Sequence, residues 1–187
     1  MGQTRRTFIR TTGIGLLSFY VAGCKVELTP EEARQQEIPF QVLQLDQVRI
    51  LEAFGEVLLP GSAAAGLAHF IDHQLNAAPA EQMLMIKFLG VNPPFTPFYN
   101  QGLAALNDTA KGVHGVPFFE LSPDQKVALT GQIAQANPDG WAGPPAPLFY
   151  FVLRNDAVDV FYGTKQGIER LGFPYMAHIE PPSRWGE

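Results

Sequence analysis

The chain has 187 residues, of which 46% are hydrophobic, and this length suits one domain with a sizeable core. Its formal net charge of -5 argues against nucleic-acid binding and against electrostatic docking to anionic lipid, both of which depend on basic surfaces. A single cysteine excludes an internal disulfide, a covalently attached c-type haem and a cysteine-rich metal site within this chain.

The first 23 residues have the layout of an export signal. Arg5 and Arg6 are followed by a polar residue and then by Phe8, which resembles the twin-arginine pattern that an export receptor reads as an address. The uncharged run of residues 11–22 is shorter than the roughly 20 apolar residues that a membrane-spanning helix needs. Residues 1–23 are therefore predicted to be a twin-arginine signal peptide.

The apolar run ends in small residues before Cys24, and this ending resembles a lipobox. In lipoproteins with this motif the cysteine becomes the acylated N-terminus, whereas the alternative is an ordinary cleavage site beside a chance cysteine. We expect acylation of Cys24, which would attach a periplasmic protein to the membrane. Three of the 13 basic residues lie before Cys24, so 10 remain against 18 acidic ones, and lipid rather than charge would provide the membrane contact.

Helical patterns begin after a polar segment. Residues 24–44 mix charges, glutamines and prolines and are predicted to be a leader or tether, in which Thr29-Pro30-Glu31-Glu32 opens a one-turn helix. From Asp46 onward, apolar residues at steps of three and four predict an amphipathic helix that ends at Pro60-Gly61. A second apolar stripe predicts a helix over residues 67–76.

The middle of the chain is less regular. Residues 80–89 predict a third helix, whose apolar side chains spread around more than one face, so that it is either buried or covered by another surface. A weak helix is predicted around residues 99–106, followed by a loop through Gly115. The sequence Ser122-Pro123-Asp124-Gln125 is a helix start with a capping residue, and this helix should run to about Ala136.

The most apolar helical segment covers residues 148–162. Its apolar side chains occupy most of a helix circumference, which predicts the central helix of the core. Arg154, Asp156 and Asp159 interrupt it and would each cost several kcal/mol, roughly +2.5 to +3.5 on an insertion scale, at a bilayer centre. A membrane span is therefore not predicted here.

The fold class is predicted to be all-α, because no segment shows a convincing alternation of apolar and polar residues. The 16 prolines and 18 glycines favour a compact, irregular helical domain with long Pro/Gly-rich connections, preceded by the signal peptide. We place this domain at residues 45–187. It is predicted to end in a short helix near residues 168–171 and an ordered aromatic tail.

Candidate residues for catalysis or metal binding are few. His69, Asp72 and His73 have the spacing of a metal site on one helix, but they project opposite its apolar stripe, which favours a solvated face. His114 and His178 have no nucleophile partner, and a Gly-x-Ser-x-Gly elbow is absent. The chain is predicted to hold no catalytic, cofactor or metal site of its own. The alternative is a free-standing periplasmic enzyme or metal-binding lipoprotein that uses the helical histidines.

Aromatic side chains are frequent in the irregular segments of the sequence. Loops of an isolated protein seldom hold so many, so we expect some of them to form a partner-binding surface, with burial in the core as the alternative. The candidate interface residues are Phe95, Phe98, Tyr99, Trp141, Phe173, Tyr175 and Trp185.

Five short motifs follow the signal in order, and most of them are structural: Leu58-Leu59-Pro60-Gly61, Phe70-Ile71-Asp72, Phe119 to Gln125, Phe151-Val152-Leu153-Arg154 and Phe161-Tyr162-Gly163. In this order they resemble the gluconate 2-dehydrogenase subunit 3 family over about residues 45–185. The tail from Tyr175 to Trp185 is similar to one branch of the family rather than to the gluconate enzymes proper, so the sequence does not indicate the substrate.

The resemblance implies a small, non-catalytic subunit of a membrane-associated dehydrogenase. The implied partners are a large FAD-dependent oxidoreductase of the glucose-methanol-choline type and often a multihaem cytochrome c. The large subunit usually lacks a signal, and the twin-arginine translocase accepts folded cargo. The resemblance therefore implies that this chain stabilises the flavoprotein and carries it to the periplasm, whereas the alternative is a lipid-anchored scaffold with no export duty.

Overall fold

The computed structural model describes residues 17–21, 24–163 and 171–172, and this part of the chain is mainly helical. The predicted all-α class is confirmed, with the addition of a small hairpin near the N-terminus. Two 3-10 helices lie at Met85–Leu89 and Phe118–Glu120. The strands are β1 Leu17–Val21 and β2 Cys24–Leu28, and the α-helices are α1 Pro30–Gln35, α2 Leu45–Leu58, α3 Leu67–Asn76, α4 Thr96–His114, α5 Pro123–Gln135 and α6 Ala146–Tyr162.

A tight turn joins α2 to α3, the two amphipathic helices that the sequence predicted correctly. The Glu56 carboxylate closes this turn by accepting hydrogen bonds from the backbone N–H groups of Gly61 (3.0 Å) and Ala63 (2.9 Å). Gly66 then precedes α3 with a φ of 89°, and a Cβ there would collide with the backbone carbonyl of Pro30. The start of α1 therefore passes directly over the start of α3.

Helix α4 is longer than predicted. The residues after position 106, which were expected to form a loop, continue the helix to His114, and Gly115 ends it with a φ of 77°. The reason is an apolar stripe that extends through the predicted loop, formed by the buried side chains of Tyr99, Leu103, Leu106 and Ala110. The prediction of a loop from residue 107 was therefore wrong.

Helix α5 begins as predicted. The Ser122 hydroxyl accepts a hydrogen bond from the Gln125 backbone N–H (3.3 Å), and the Gln125 side-chain oxygen accepts one from the Ser122 backbone N–H (2.9 Å). This capping box satisfies donors that the first turn of a helix leaves unpaired. The helix ends at Gln135, one residue before the predicted end.

Helix α6 lies in the centre of the core, as predicted. The fully buried Phe149 ring stacks parallel to the Phe54 ring of α2, with centroids 5.7 Å apart. On another side it rests against Gly102 of α4, where a Cβ would overlap the ring. The core thus depends on a small residue in α4 opposite a large one in α6. Among the described helices, α6 included, none has both the length and the apolarity that a membrane span requires.

The prediction of a third helix over residues 80–89 was wrong. Only Met85–Leu89 are helical, and they form a 3-10 helix. Leu84 and Ile86 are fully buried, whereas Met83 and Phe88 are exposed. Apolar residues that point alternately into the core and outward give an α-helix no single face to bury, and this explains why an irregular loop forms instead.

The hairpin was not expected, because the sequence analysis found no convincing strand alternation. β1 and β2 pair antiparallel, with Leu17 opposite Leu28 and Phe19 opposite Val26. These four apolar side chains share one face and pack on Ala33 of α1. The missed signal is the sequence Cys-Lys-Val-Glu-Leu at residues 24–28, which alternates strictly.

Residues 24–44 pack on the helical domain instead of extending from it as a free tether. The predicted one-turn helix is present as α1, with a capping box between Thr29 and Glu32. Further along the segment, Ile38 and Leu43 are buried. The division of the chain into residues 1–23, 24–44 and 45–187 stays a prediction, and the predicted short helix near residue 168 and the aromatic tail fall almost wholly outside the described residues.

Candidate partner-binding surface

An ordered loop of residues 82–91, here called the apolar loop, presents large hydrophobic side chains to solvent. Their exposed fractions are 62% for Met83, 69% for Phe88, 41% for Leu89 and 39% for Val91. Between them Leu84 and Ile86 are fully buried and fix the loop to the core. Exposed apolar groups that are close together on an ordered segment are typical of binding surfaces.

Polar contacts hold the apolar loop in place from beneath. The Met83 backbone N–H donates to the Gln74 side-chain oxygen (2.6 Å), and the Met85 backbone N–H donates to Asp156 (2.8 Å). The Lys87 ammonium donates to the carbonyls of Ala80 (2.8 Å) and Gln82 (2.9 Å). The loop's conformation therefore does not require its exposed side chains to be buried.

Asp156 is the buried centre of this attachment. It is fully buried in α6, and its second oxygen accepts a hydrogen bond of 2.6 Å from the Tyr99 hydroxyl. Burial raises the pKa of Asp156 to about 7, although the hydrogen bonds from Met85 and Tyr99 act in the opposite direction. Burial, together with the carboxylate of Asp156, also raises the pKa of Tyr99 well above its ordinary value. The pair ties α4, α6 and the apolar loop together.

The charge around the apolar loop also suits a protein partner. Lys87 is the only charged residue between positions 82 and 91, and its ammonium is already hydrogen-bonded to main-chain carbonyls. Covering Phe88 and Met83 would therefore remove water mainly from apolar groups, at a small cost in polar desolvation. Depletion of free charge beside aromatic and Met side chains is the composition found at the centre of protein interfaces.

The structure separates the aromatic residues that were predicted to form the partner surface. Phe95 and Tyr99 are buried in the core, at 2% and 0% exposure, so their prediction as surface residues is corrected. Phe98 and Trp141 are half-buried, and the Trp141 indole N–H donates to the Pro144 carbonyl (2.7 Å). The three remaining candidates, Phe173, Tyr175 and Trp185, lie outside the described residues.

Two features of the apolar loop and its attachment to the core were not identified from the sequence as functional. Asp156 was used only as an argument against a membrane span, yet a carboxylate within the most apolar helical segment of the sequence also indicates a buried polar contact. Met83 and Phe88 were placed in a helix. Their signal was the lack of a single apolar face in residues 80–89, which left open the interpretation that another surface covers them.

The predicted solvated face of α3 is wrong. His69 and Asp72 are buried, at 5% and 4% exposure, because residues 38–43 lie over them. The Asp72 carboxylate accepts three hydrogen bonds of 2.8–2.9 Å from the backbone N–H groups of residues 41–43. The metal alternative is not favoured, since Asp72 is occupied in this way and the described residues include no group of three or more ligands that could hold a metal ion.

Both helical histidines contact main-chain carbonyls. The His69 Nε2–H donates to Ile38 (3.1 Å), and the His73 Nε2–H donates to Ser18 in β1 (3.0 Å). Burial lowers the pKa of each imidazole, against the smaller opposing effect of its backbone hydrogen bond. These side chains therefore hold the N-terminal segment on α3.

A sequence profile described as gluconate 2-dehydrogenase subunit 3 matches residues 45–178. The chain belongs to the gluconate 2-dehydrogenase subunit 3 family. No curated protein and no solved structure matches the chain significantly. The matched range contains the apolar loop and Asp156, whereas β1, β2 and α1 precede it.

Among the predicted export and lipidation residues of this subunit 3 family member, Cys24 alone lies in the part of the chain that the structure describes. Arg5, Arg6 and Phe8 are outside the described residues, as is His178. Cys24 is the first residue of β2. The predicted site of processing therefore falls between the two strands of the hairpin.

Proposed function

We propose that this chain is the small, non-catalytic subunit of a periplasmic FAD-dependent sugar or alcohol dehydrogenase complex. In this proposal it stabilises a large flavoprotein subunit of the glucose-methanol-choline type and carries it through the twin-arginine export route. FAD would belong to the large subunit, and haem c to a further, cytochrome subunit. The observation on which the proposal rests is the family match over residues 45–178.

The apolar loop supports a binding role. Burying a side chain the size of Met83 or Phe88 contributes about 1.5–3 kcal/mol relative to leaving it in water. Several such side chains on one preformed loop give association a favourable free energy without an ordering cost for the backbone. A subunit that works by covering another protein is expected to present a surface of this kind.

The N-terminal sequence supports the export role. Arg5, Arg6 and Phe8 supply a twin-arginine address on this chain. A flavoprotein that acquires FAD in the cytoplasm must cross the membrane folded, so it would benefit from a bound subunit that has such an address. Acylation of Cys24 would then keep the assembled complex at the periplasmic face of the membrane.

The experiment is a substitution of both arginines in a strain that expresses the complete complex. Arg5→Lys together with Arg6→Lys keeps the charge but removes the address, so dehydrogenase activity should stay in the cytoplasmic fraction. The matched control is Arg10→Lys, which leaves the pair intact and should leave activity in the periplasmic and membrane fractions.

Two results would contradict the proposal. Activity that reaches the periplasm with both arginines replaced would refute the carrier role. A chain that purifies from native membranes without a stoichiometric FAD-containing partner would refute the subunit role. The first measurement also distinguishes a lipid-anchored scaffold. If the chain had no export duty, replacing both arginines would not change the compartment in which the flavoprotein is found.

A further inference from the structure

The hairpin places a predicted cleavage site between two paired strands. β1 ends at Val21 and β2 begins at Cys24, with Phe19 opposite Val26 in the ladder. Processing immediately before Cys24 would remove β1 and leave β2 in the mature chain. The consequence depends on what β1 contacts and on whether its site persists without it.

β1 buries the large apolar side chain of Phe19 against the domain, and Leu17 packs partly buried against the same cluster. Phe19 is 4% exposed, and its ring centroid lies 5.1 Å from that of His73 on α3. It packs in a cluster with Leu28, Ala33 and Ile38, all of which follow the predicted cleavage site. Phe19 therefore fills an apolar site whose other buried residues all belong to the mature chain.

The backbone of β1 makes further contacts. The His73 Nε2–H donates to the Ser18 carbonyl (3.0 Å), and the ladder with β2 is formed by main-chain groups. Contacts of this kind recognise any extended chain, while the apolar site adds a preference for one large side chain. This combination is the mode of recognition known as strand addition.

The site is held in place by residues that processing would leave. α1 rests on the start of α3, where the Pro30 backbone closely approaches Gly66. Asp72 holds residues 41–43 through three hydrogen bonds. Without β1, the β2 edge would present unpaired N–H and C=O groups beside the uncovered cluster. Such an edge is a template for another strand.

We infer that the chain from Cys24 onward has a strand-acceptor site, which β1 fills before processing. After processing, the site takes an extended segment of another subunit of the dehydrogenase complex, with a Phe-sized residue opposite Val26. The second half of this inference, occupation by another subunit, depends on the proposed processing at Cys24 and on the proposed subunit role. The acceptor site itself depends on neither.

The acceptor site is tested on the full-length chain with a protease recognition sequence inserted between Ala22 and Gly23. The probe is a fluorescent peptide with the sequence of residues 16–21, made soluble by terminal lysines. After cleavage the peptide should replace β1 and increase in anisotropy, whereas the uncleaved chain should not bind it. A peptide that binds neither form, or both equally, would overturn the inference.

Two altered peptides separate the side-chain site from the backbone contacts. Replacement of Phe19 by Ala should weaken binding at least about tenfold, because the large apolar group is lost. Replacement of Ser18 by Ala is the matched control and should change affinity less than about twofold, since the contact of residue 18 to His73 is made by its carbonyl. Equal weakening by both changes would contradict the proposed apolar site.

The occupant in the assembled complex is tested with a photo-crosslinking residue in place of the exposed Glu27 of β2. In the mature complex we expect a crosslink to an extended segment of another subunit, and in the unprocessed chain to residues near Ser18. A crosslink to a second copy of this chain, or none to a co-purified subunit, would overturn the second half. Failure of any subunit to co-purify would instead count against the proposed function.

Discussion

Two buried aspartates on neighbouring helices hold two different kinds of segment. On α3, Asp72 accepts three backbone N–H groups from residues 41–43, and that segment covers the helix. On α6, Asp156 accepts one backbone N–H from Met85 and a hydroxyl from Tyr99, and the attached loop presents hydrophobic side chains outward. A buried aspartate that accepts backbone hydrogen bonds thus holds a covering segment in one region and a loop with exposed hydrophobic side chains in the other.

The difference lies in the side chains beside the attached backbone. Ile38 and Leu43 lie inward, so the N-terminal segment is stabilised by both polar and apolar contacts. In the apolar loop, Met83 and Phe88 face solvent, and polar contacts hold the backbone beneath them. The backbone of the apolar loop is therefore ordered before any partner binds. The packing of the domain core offsets the free-energy cost of leaving its apolar side chains in water.

The largest effect on the free energy of unfolding is expected for Asp72→Ala. Three backbone donors, one of them in a buried hydrogen bond and two in partly buried ones, would lose their acceptor, which should lower the free energy of unfolding by about 3 kcal/mol or more. Asp108→Ala, at an exposed position of α4, is the control and should change it by less than about 0.5 kcal/mol. Urea unfolding measures both, and similar midpoints for the two variants would show that the N-terminal segment is not held by Asp72.

A smaller effect is expected for Asp156→Asn, and it should depend on pH. Burial raises the pKa of Asp156 from 3.8 to about 7, so the folded chain keeps a proton that the unfolded chain releases between these values. Its contribution to stability is therefore fully present below pH 4 and is lost as pH rises to about 7. The Asn variant should lack this slope.

Urea midpoints between pH 4 and pH 8 measure this contribution in wild type and variant. His69 and His73 act in the opposite direction, because burial lowers their pKa values and stability is lost as pH falls below about 6.5. Asp159 is exposed, but partial desolvation also raises the pKa of its carboxyl, so it acts weakly in the same direction as Asp156. Since these groups are present in both proteins, an identical slope in the variant would refute the assignment to Asp156.

The smallest effect on folding is expected for Met83→Ser together with Phe88→Ser. Both side chains are exposed and the backbone is held by other groups, so the free energy of unfolding should change by less than about 0.5 kcal/mol. Co-purification of the flavoprotein, in contrast, should fall at least about tenfold. Val127→Ser, at an exposed position of α5, is the control that should leave the complex intact.

The sequence predicted those parts of the fold in which local pattern and burial agree. The stripes of α2 and α3, the Ser122 capping box and the apolar run of α6 each identified a helix that the structure confirms. It could not predict that residues 38–43 cover His69 and Asp72, because a helical pattern tells which face is polar but not what lies over it. The partner surface was only partly predictable, since Phe95 and Met83 are equally apolar in sequence and differ only in tertiary contacts.

The close approach of Pro30 to Gly66 has a consequence for the order of assembly. The groups that hold residues 17–44, among them Gly66, Asp72 and His73, are all synthesised later than the residues they hold. The N-terminal segment can therefore pack on the domain only after α3 has been synthesised. Before α3 is complete, other factors can bind the N-terminal segment. Once α3 has formed, it competes with those factors for the same residues.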